Sequence, residues 1–287
     1  MRDCDLRFVN VPCKMSDYEV IHDFITDKSP KRINFASHHA NSLRRVNGKN
    51  GVVGRLILPF DDTIDAIACK VMGMNKLLYP SKFWKNYYRN IFSEQEYHQI
   101  ETFINQFNDL VFLRDTLDLS IALSMHETEP DKRTVLGEHE FRVKYRSENN
   151  EVSADFDALV AEMQRRLEEL PYFNCADYIC AVPSNKPFMA QIISRLKSFD
   201  FIDISQRVQW KNKAGSLKDA TSAEEKLVTI QSWELRIDKG LDLNGKTVLL
   251  VDDLYHSGVT MQYMAMRLKE SGAKRVFGMA LVKSLGN

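Results

Sequence analysis

The sequence has no CxxC pair and only five cysteines, Cys4, Cys13, Cys69, Cys175 and Cys180. A dispersed, odd set excludes a disulfide framework and points to reduced thiols in a cytoplasmic protein. Cys175 and Cys180 stand five apart with no His or Cys partners nearby in the sequence, so a zinc site is not expected. No run of about 18 apolar residues occurs, which argues against a membrane-spanning helix. The opening MRDCDLRF carries charges where a signal peptide needs an apolar run. There is no charge of one sign to spare either. Thirty-nine basic residues balance thirty-nine acidic ones, so no global field draws the chain to nucleic acid or membrane, local patches aside. Internal repeats and low-complexity tracts are lacking. So is a GxxxxGK[ST] loop, and with it the partner that a Walker B strand would need.

What is present is a 287-residue chain, 44% hydrophobic and 27% charged, enough for one large domain or two ordinary ones. Helices announce themselves by period and caps. Ser93 and Glu96 form a capping-box pattern ahead of Ile100, Phe103, Ile104, Phe107 and Val111. A second helix is expected from Ser153, with Phe156, Leu159, Val160, Met163, Leu167 and Leu170 on one stripe and Pro171 as its stop. A third groups Met261, Met264, Ala265 and Leu268 and ends at Gly272. Between them lie apolar runs of strand length at 117–125, 177–183, 201–205, 247–251 and 275–282. Their alternation with helices from about residue 150 predicts βαβ units and a parallel sheet.

Residues 206–230 break that alternation. They are polar and lysine-bearing, without a clear amphipathic period, and read as one long loop, the kind that is functional when found inside a compact domain. The first 115 residues are less regular. A strand, a turn and a helix are expected within 51–74. The aromatic and basic KFWKNYYRN (82–90) has the composition to stack on bases. The near-helical spacing of Trp84, Tyr87 and Tyr88 favours core packing instead. His38–His39 reads as polar filler. The expected division is 1–115 and 116–287.

The sharpest signal is VLLVDDLYHSGVT at 248–260. A buried strand runs into Asp252 and Asp253, then a short turn carries Ser257, Gly258 and Thr260 into the third helix. In a parallel sheet the ligand sits at the carboxyl ends of the strands. Carboxylates there accept hydrogen bonds from sugar hydroxyls. The free N–H groups and dipole of the following helix favour a phosphate, and Gly258 lets the backbone come close. One short segment therefore suits a ribose 5-phosphate group. Response regulators and ordinary Rossmann sheets also end strands on acids, but a response regulator would not need SGVT before its helix.

This stretch resembles the phosphoribosyl-diphosphate motif of the type I phosphoribosyltransferases: apolar strand, acid pair, variable residues, then [ST]-G-x-T. GEHEFRVKYR (137–146) and ADYICAVPS (176–184) are similar to the ComF-like branch, although the N-terminal zinc-binding cysteine cluster common there is missing. The resemblance covers about 170 residues. It implies an α/β fold with a mostly parallel sheet flanked by helices, plus an additional N-terminal α/β or helical region.

The resemblance further implies that Asp252 and Asp253 contact the ribose hydroxyls directly or through magnesium. Leu254, Tyr255, His256, Ser257, Gly258, Val259 and Thr260 would form the phosphate loop. Ser184, Asn185 and Lys186 would face the diphosphate, and Lys211, Lys213 or Lys218 would close over it from the 206–230 segment, Lys218 being the favoured catalytic choice. His256 and Ser257 stand where many relatives carry two threonines. The activity implied is magnesium-dependent transfer of a phosphoribosyl group to a nitrogen acceptor. The alternative is a non-catalytic regulator or nucleotide sensor with a protein partner on 1–115. Phosphoribosyl diphosphate or a nucleotide is the expected partner, with nucleic acid less favoured, no membrane, and self-association as a homo-oligomer left open.

Overall fold

A computed structural model describes residues 11–36, 42–46, 48–145, 151–186, 188–215, 217 and 220–286, with the backbone alone at 49 and 151–153. Cys4, His38, His39 and Lys218 lie outside the described residues. The N-terminal part supplies helix α1 (Tyr18–Thr26), strands β1 (Arg32–Ile33), β2 (Leu43–Arg45) and β3 (Gly54–Leu58), and helix α2 (Ile64–Met72). Strands β4 (Tyr79–Pro80) and β5 (Tyr87–Ile91), helix α3 (Glu94–Gln106), and strands β6 (Val111–Leu113), β7 (Leu119–Met125), β8 (Glu127–Glu129) and β9 (Lys132–Arg133) follow. Helices α4 (Val135–Tyr145) and α5 (Glu151–Glu169), strand β10 (Tyr178–Ala181), helix α6 (Phe188–Arg195), and strands β11 (Ile202–Asp203) and β12 (Val208–Trp210) come next. Helix α7 (Ala223–Ser232), strands β13 (Leu235–Ile237) and β14 (Thr247–Tyr255), helix α8 (Val259–Glu270) and strand β15 (Arg275–Lys283) complete the chain.

A seven-stranded sheet in the order β1-β6-β7-β15-β14-β10-β11 is the frame. From β7 to β11 every pair is parallel, and only β1 and β6 at one edge run antiparallel. The α/β architecture with a mostly parallel sheet flanked by helices is therefore as expected. Strands buried on both faces read as continuous Val, Ile and Leu runs, which is why the apolar runs were legible. Ile179, Leu249, Val251, Phe277 and Met279 turn to one core with α5 and α6, and Cys180, Val248, Leu250, Val276 and Ala280 turn to the other with α8.

Before residue 115 the chain also builds a four-stranded antiparallel sheet, β2-β3-β5-β4. Its inner face, with Leu56, Leu58 and Ile91, packs with Ile64, Ile67, Ile100 and Phe103 into the first core. The seven-stranded sheet takes β1 and β6 from the same side of residue 115.

Expectations for several segments need correction. The stretch 206–230 is not one long loop. It holds β12, paired antiparallel with β13, and the helix α7. Ser222 caps α7 in a full capping box with Glu225. The apolar period was faint because Leu227 and Ile230 are the helix's only residues recorded as buried. KFWKNYYRN is not helical. Residues from Tyr87 form β5, and Trp84 is exposed on the loop before it, not packed in the core. The helix expected from Ser153 begins at Glu151.

Asp118 ties distant parts of the chain into this frame. Its carboxylate, wholly buried, accepts hydrogen bonds from Lys14 N at 2.6 Å and Val276 N at 2.7 Å, and pairs with Lys269 Nζ at 2.8 Å. Asp118→Ala should cost about 3–5 kcal/mol in urea unfolding, because Lys269 would be left buried without its counter-charge. Lys269→Met should cost less, since Asp118 keeps two backbone donors.

Candidate active site

The chain leaves β10 toward β11 on one side of the sheet and leaves β14 toward β15 on the other. The carboxyl ends of β10 and β14 thus flank a topological switch point, the usual crevice of an open parallel sheet. Val182 N donates to Val251 O at 2.8 Å, so the Pro183–Lys186 turn emerges beside the acid pair. Strand β14 does not stop at Val251 as expected. It continues through Asp252 and Asp253 to Tyr255, which pairs with Lys283, so the acids are held by the sheet itself.

A cavity of about 640 Å³ lies over these strand ends. Asp252, Asp253, Ser184, Asn185 and every residue from Leu254 to Thr260 line it. The structure brings together two segments far apart in sequence that were expected to share one ligand. Lys186 behaves differently. Its Nζ donates to Lys144 O at 2.7 Å, lies 5.3 Å from the Tyr145 ring, and borders a neighbouring cavity. Of the lysines on the 206–230 segment, Lys213 lines the main cavity, whereas Lys211 is tied to Glu234 at 2.6 Å on the surface.

The turn at Gly258 is built on a buried hydroxyl. Gly258 has φ of 75° and begins α8. A Cβ there would stand 2.1 Å from Tyr255 Oη. That hydroxyl in turn donates to Asp115 Oδ2 at 2.9 Å. Tyr255 is therefore a support beneath the turn, and only glycine fits above it. The first N–H groups of α8 have no partner inside the helix and open toward the cavity end of the strand.

Charge is arranged unevenly around the acid pair. Asp253 N donates to Asp252 Oδ1 at 2.9 Å. Burial first, and then the adjacent Asp253 charge, push the Asp252 carboxyl well above the usual carboxylate range. Asp253 Oδ2 pairs with Lys144 Nζ at 2.8 Å, and the same ammonium meets the buried Glu140. Burial pulls Lys144 down, but Asp253 and Glu140 outweigh it and leave it above its ordinary value. Burial lowers Lys213, against the opposing pull of Asp252 and Asp253.

Lys144, Lys226 and Trp233 also line the cavity, and reading the sequence missed all three. Lys144 lies in the GEHEFRVKYR stretch, but among its charged neighbours no local pattern singles it out as a site residue. The strands β12 and β13 with α7 form a hood over the crevice. Trp210 and Trp233 meet edge to face at 5.5 Å, Trp210 Nε1 donates to Pro183 O at 3.1 Å, and Trp233 Nε1 donates to Ala214 O at 2.9 Å. Helix α1 braces the hood from behind through His22 Nε2 and Glu224 Oε1, 2.9 Å apart.

Residues 179–284 match the phosphoribosyl transferase domain family. The matched stretch begins in β10 and takes in the whole acid-pair segment and the hood. Among solved structures the chain is similar to a hypoxanthine phosphoribosyltransferase from Staphylococcus aureus. The two are 14% identical over 47% of this chain and 74% of that one, with a TM-score of 0.31. No curated protein matches the chain. Among the described residues, no helix is long and apolar enough to cross a membrane.

Lys283, paired with Tyr255 across the sheet, is almost fully buried. Burial, with help from Arg32 and Lys31, lowers its ammonium to about 7. The unfolded chain keeps that proton up to about pH 10.4. The folded protein thus binds fewer protons between pH 7 and 10, and stability from this group rises with pH across that window. Lys283→Met should raise the melting temperature at pH 6 and gain progressively less toward pH 9.5, as thermal melts at the two pH values would record. Gly258→Ala should lower stability by about 1–3 kcal/mol through its positive φ alone. Chemical denaturation should register this loss in a Tyr255→Phe background as well, because Tyr255 ring carbons stand 2.4 and 2.9 Å from the added Cβ.

Proposed function

We propose that this protein binds 5-phosphoribosyl 1-diphosphate and transfers its phosphoribosyl group to a nitrogen nucleophile, releasing diphosphate. The observation that carries the reading is the convergence on one cavity of the acid pair, the Gly258 turn and the Ser184–Asn185 turn. Asp252 and Asp253 accept hydrogen bonds from the ribose hydroxyls. The N–H groups around Ser257–Thr260 and the hydroxyls of Ser257 and Thr260 hold the 5-phosphate at the start of α8. Ser184 and Asn185 face the diphosphate, with Lys213 and Lys226 as cations within the cavity in addition to Lys144. Lys218, outside the described residues, retains its proposed place over the leaving group.

The acceptor nitrogen attacks C1 as the C1–O bond breaks, and the electron pair departs on the diphosphate oxygen. Positive charge grows at C1, and the two carboxylates shield it. The acceptor gives up its proton to a carboxylate of the pair or to the departing diphosphate. The hood, fastened by Trp210 and Trp233, keeps water from competing for the ribosyl carbon. Among the described residues no cluster of three or more His, Cys, Asp or Glu could hold a metal alone. Two carboxylates fit a magnesium ion whose other oxygen ligands come with the diphosphate, so Asp252 and Asp253 would hold it. Magnesium would supply neutralising charge at the leaving group. Helix α4 delivers Lys144 to Asp253, which supports a role for the ComF-like segment in this site.

The Lys144–Asp253 ion pair also favours a second reading, a sensor that binds the sugar diphosphate or a nucleotide without turnover. The Asp252→Asn, Asp253→Asn double variant should remove magnesium-linked binding of phosphoribosyl diphosphate in calorimetry, by at least about 100-fold (~2.7 kcal/mol), while its circular dichroism stays native. Unchanged affinity would refute both readings. Diphosphate release with a panel of nucleobases separates them: release identifies the enzyme, and tight binding without release the sensor.

A further inference from the structure

The outer face of the β2-β3-β5-β4 sheet has no role in the site above. Register places Arg44 directly opposite Arg55, and Arg55 opposite Asn90. In the next row Ile57 faces Tyr88, and Tyr88 faces Tyr79. At the tip of the β4–β5 hairpin, the loop Ser81–Asn86 carries Lys82, Phe83, Trp84 and Lys85. It is closed by Ser81 N donating to Asn86 O at 2.9 Å, and Ser81 Oγ accepts from Phe83 N and Trp84 N. Phe83 is 88% exposed, Trp84 74% and Tyr79 50%.

Two features of this face run against stability. Like charges directly across a strand pair repel, yet Arg44 and Arg55 are paired in that way. Large aromatics exposed side by side forgo burial. The two faces of the sheet also treat their cations differently. On the inner side Arg45 pairs with Glu94 at 2.7 Å, and Arg89 pairs with Glu96. On the outer side neither Arg44, Arg55, Lys82 nor Lys85 meets a carboxylate among the described residues. No Asp or Glu occurs at 28–60 or 66–93, stretches that hold twelve Lys and Arg. The intervening Asp61 and Asp62 are taken by Lys76 and Lys14. A neutral chain therefore gathers positive charge without carboxylate partners, and exposed rings, on the outer face of this small sheet and the hairpin tip next to it.

We propose that this face binds single-stranded nucleic acid. Arg44, Arg55, Lys82 and Lys85 neutralise phosphates, and Tyr79, Tyr88, Phe83 and Trp84 offer stacking surfaces for successive bases. Strands about 4.8 Å apart set Tyr79 and Tyr88 side by side, and the hairpin tip adds Phe83 and Trp84 next to them. An acidic protein surface would satisfy the cations but not the rings, which is why the single strand is favoured.

The test is fluorescence anisotropy of the full chain with labelled 12-nucleotide oligo-U and oligo-dT, and with labelled poly-glutamate as the polyanion without bases. Neutralising four phosphates on a single strand predicts affinity about 50-fold weaker at 200 mM salt than at 50 mM. Arg44→Glu with Arg55→Glu should reduce affinity at least tenfold. Trp84→Ala should reduce it about tenfold, and Trp84 emission should be quenched by the oligonucleotides, with Trp84→Phe as the reference. A difference between oligo-U and oligo-dT identifies the preferred strand. Because the variants lie on an exposed face, circular dichroism should stay native. No oligonucleotide binding at 50 mM salt, equal affinity for poly-glutamate, or affinity unmoved by both variants would overturn the proposal.

Discussion

The hydrogen bond from Tyr255 Oη to Asp115 joins the last residue of β14 to the turn that enters β7, and the Gly258 bend rests on top of it. Both partners are buried. Burial keeps the Asp115 carboxyl above its ordinary range and the Tyr255 hydroxyl well above its own. The strand end, the glycine turn and the start of α8 are thereby held in one arrangement before any ligand arrives. A loop of flexible residues would have to be ordered by the ligand, at a cost in affinity.

Preorganisation beneath the turn contrasts with tension above it. Asp252 sits partly buried beside a second acid, which raises its carboxyl. Asp253 instead pairs with Lys144, carried in from α4. The two acids, adjacent in sequence, therefore have unlike surroundings. The hood adds a second kind of control. Its tryptophans are fastened by their N–H groups to the Pro183 and Ala214 carbonyls, so the cover is a packed element and not a loose strap.

What was legible in the sequence was local. VLLVDDLYHSGVT contains its strand, acids, turn and helix start within 13 residues, so its chemistry survives a linear reading. The parallel sheet was legible because strands buried on both faces are continuous apolar runs. What depends on distant packing was not. Lys144 matters only because α4 lies over the end of β14. The helix at Ala223–Ser232 was hidden by an apolar stripe of two residues, although Ser222 and Glu225 carried its start signal in plain view. Tyr87 and Tyr88 imitated helical spacing with Trp84. In the strand, Tyr88 turns outward and Tyr87 inward toward the core, an alternation that three short segments could not reveal.

The buried Asp118 has an implication for how the chain comes together. It is satisfied by Lys14 near one end and by Lys269 and Val276 near the other. Until α8 and β15 have been synthesised, that carboxylate has no cation and lacks one backbone donor, and the middle of the sheet lacks the strand that separates β7 from β14. Contacts that span most of the polypeptide thus complete this part of the sheet, the regime in which folding is slow. A nascent chain stalled before residue 270 would expose an unclosed sheet, however complete its N-terminal layer.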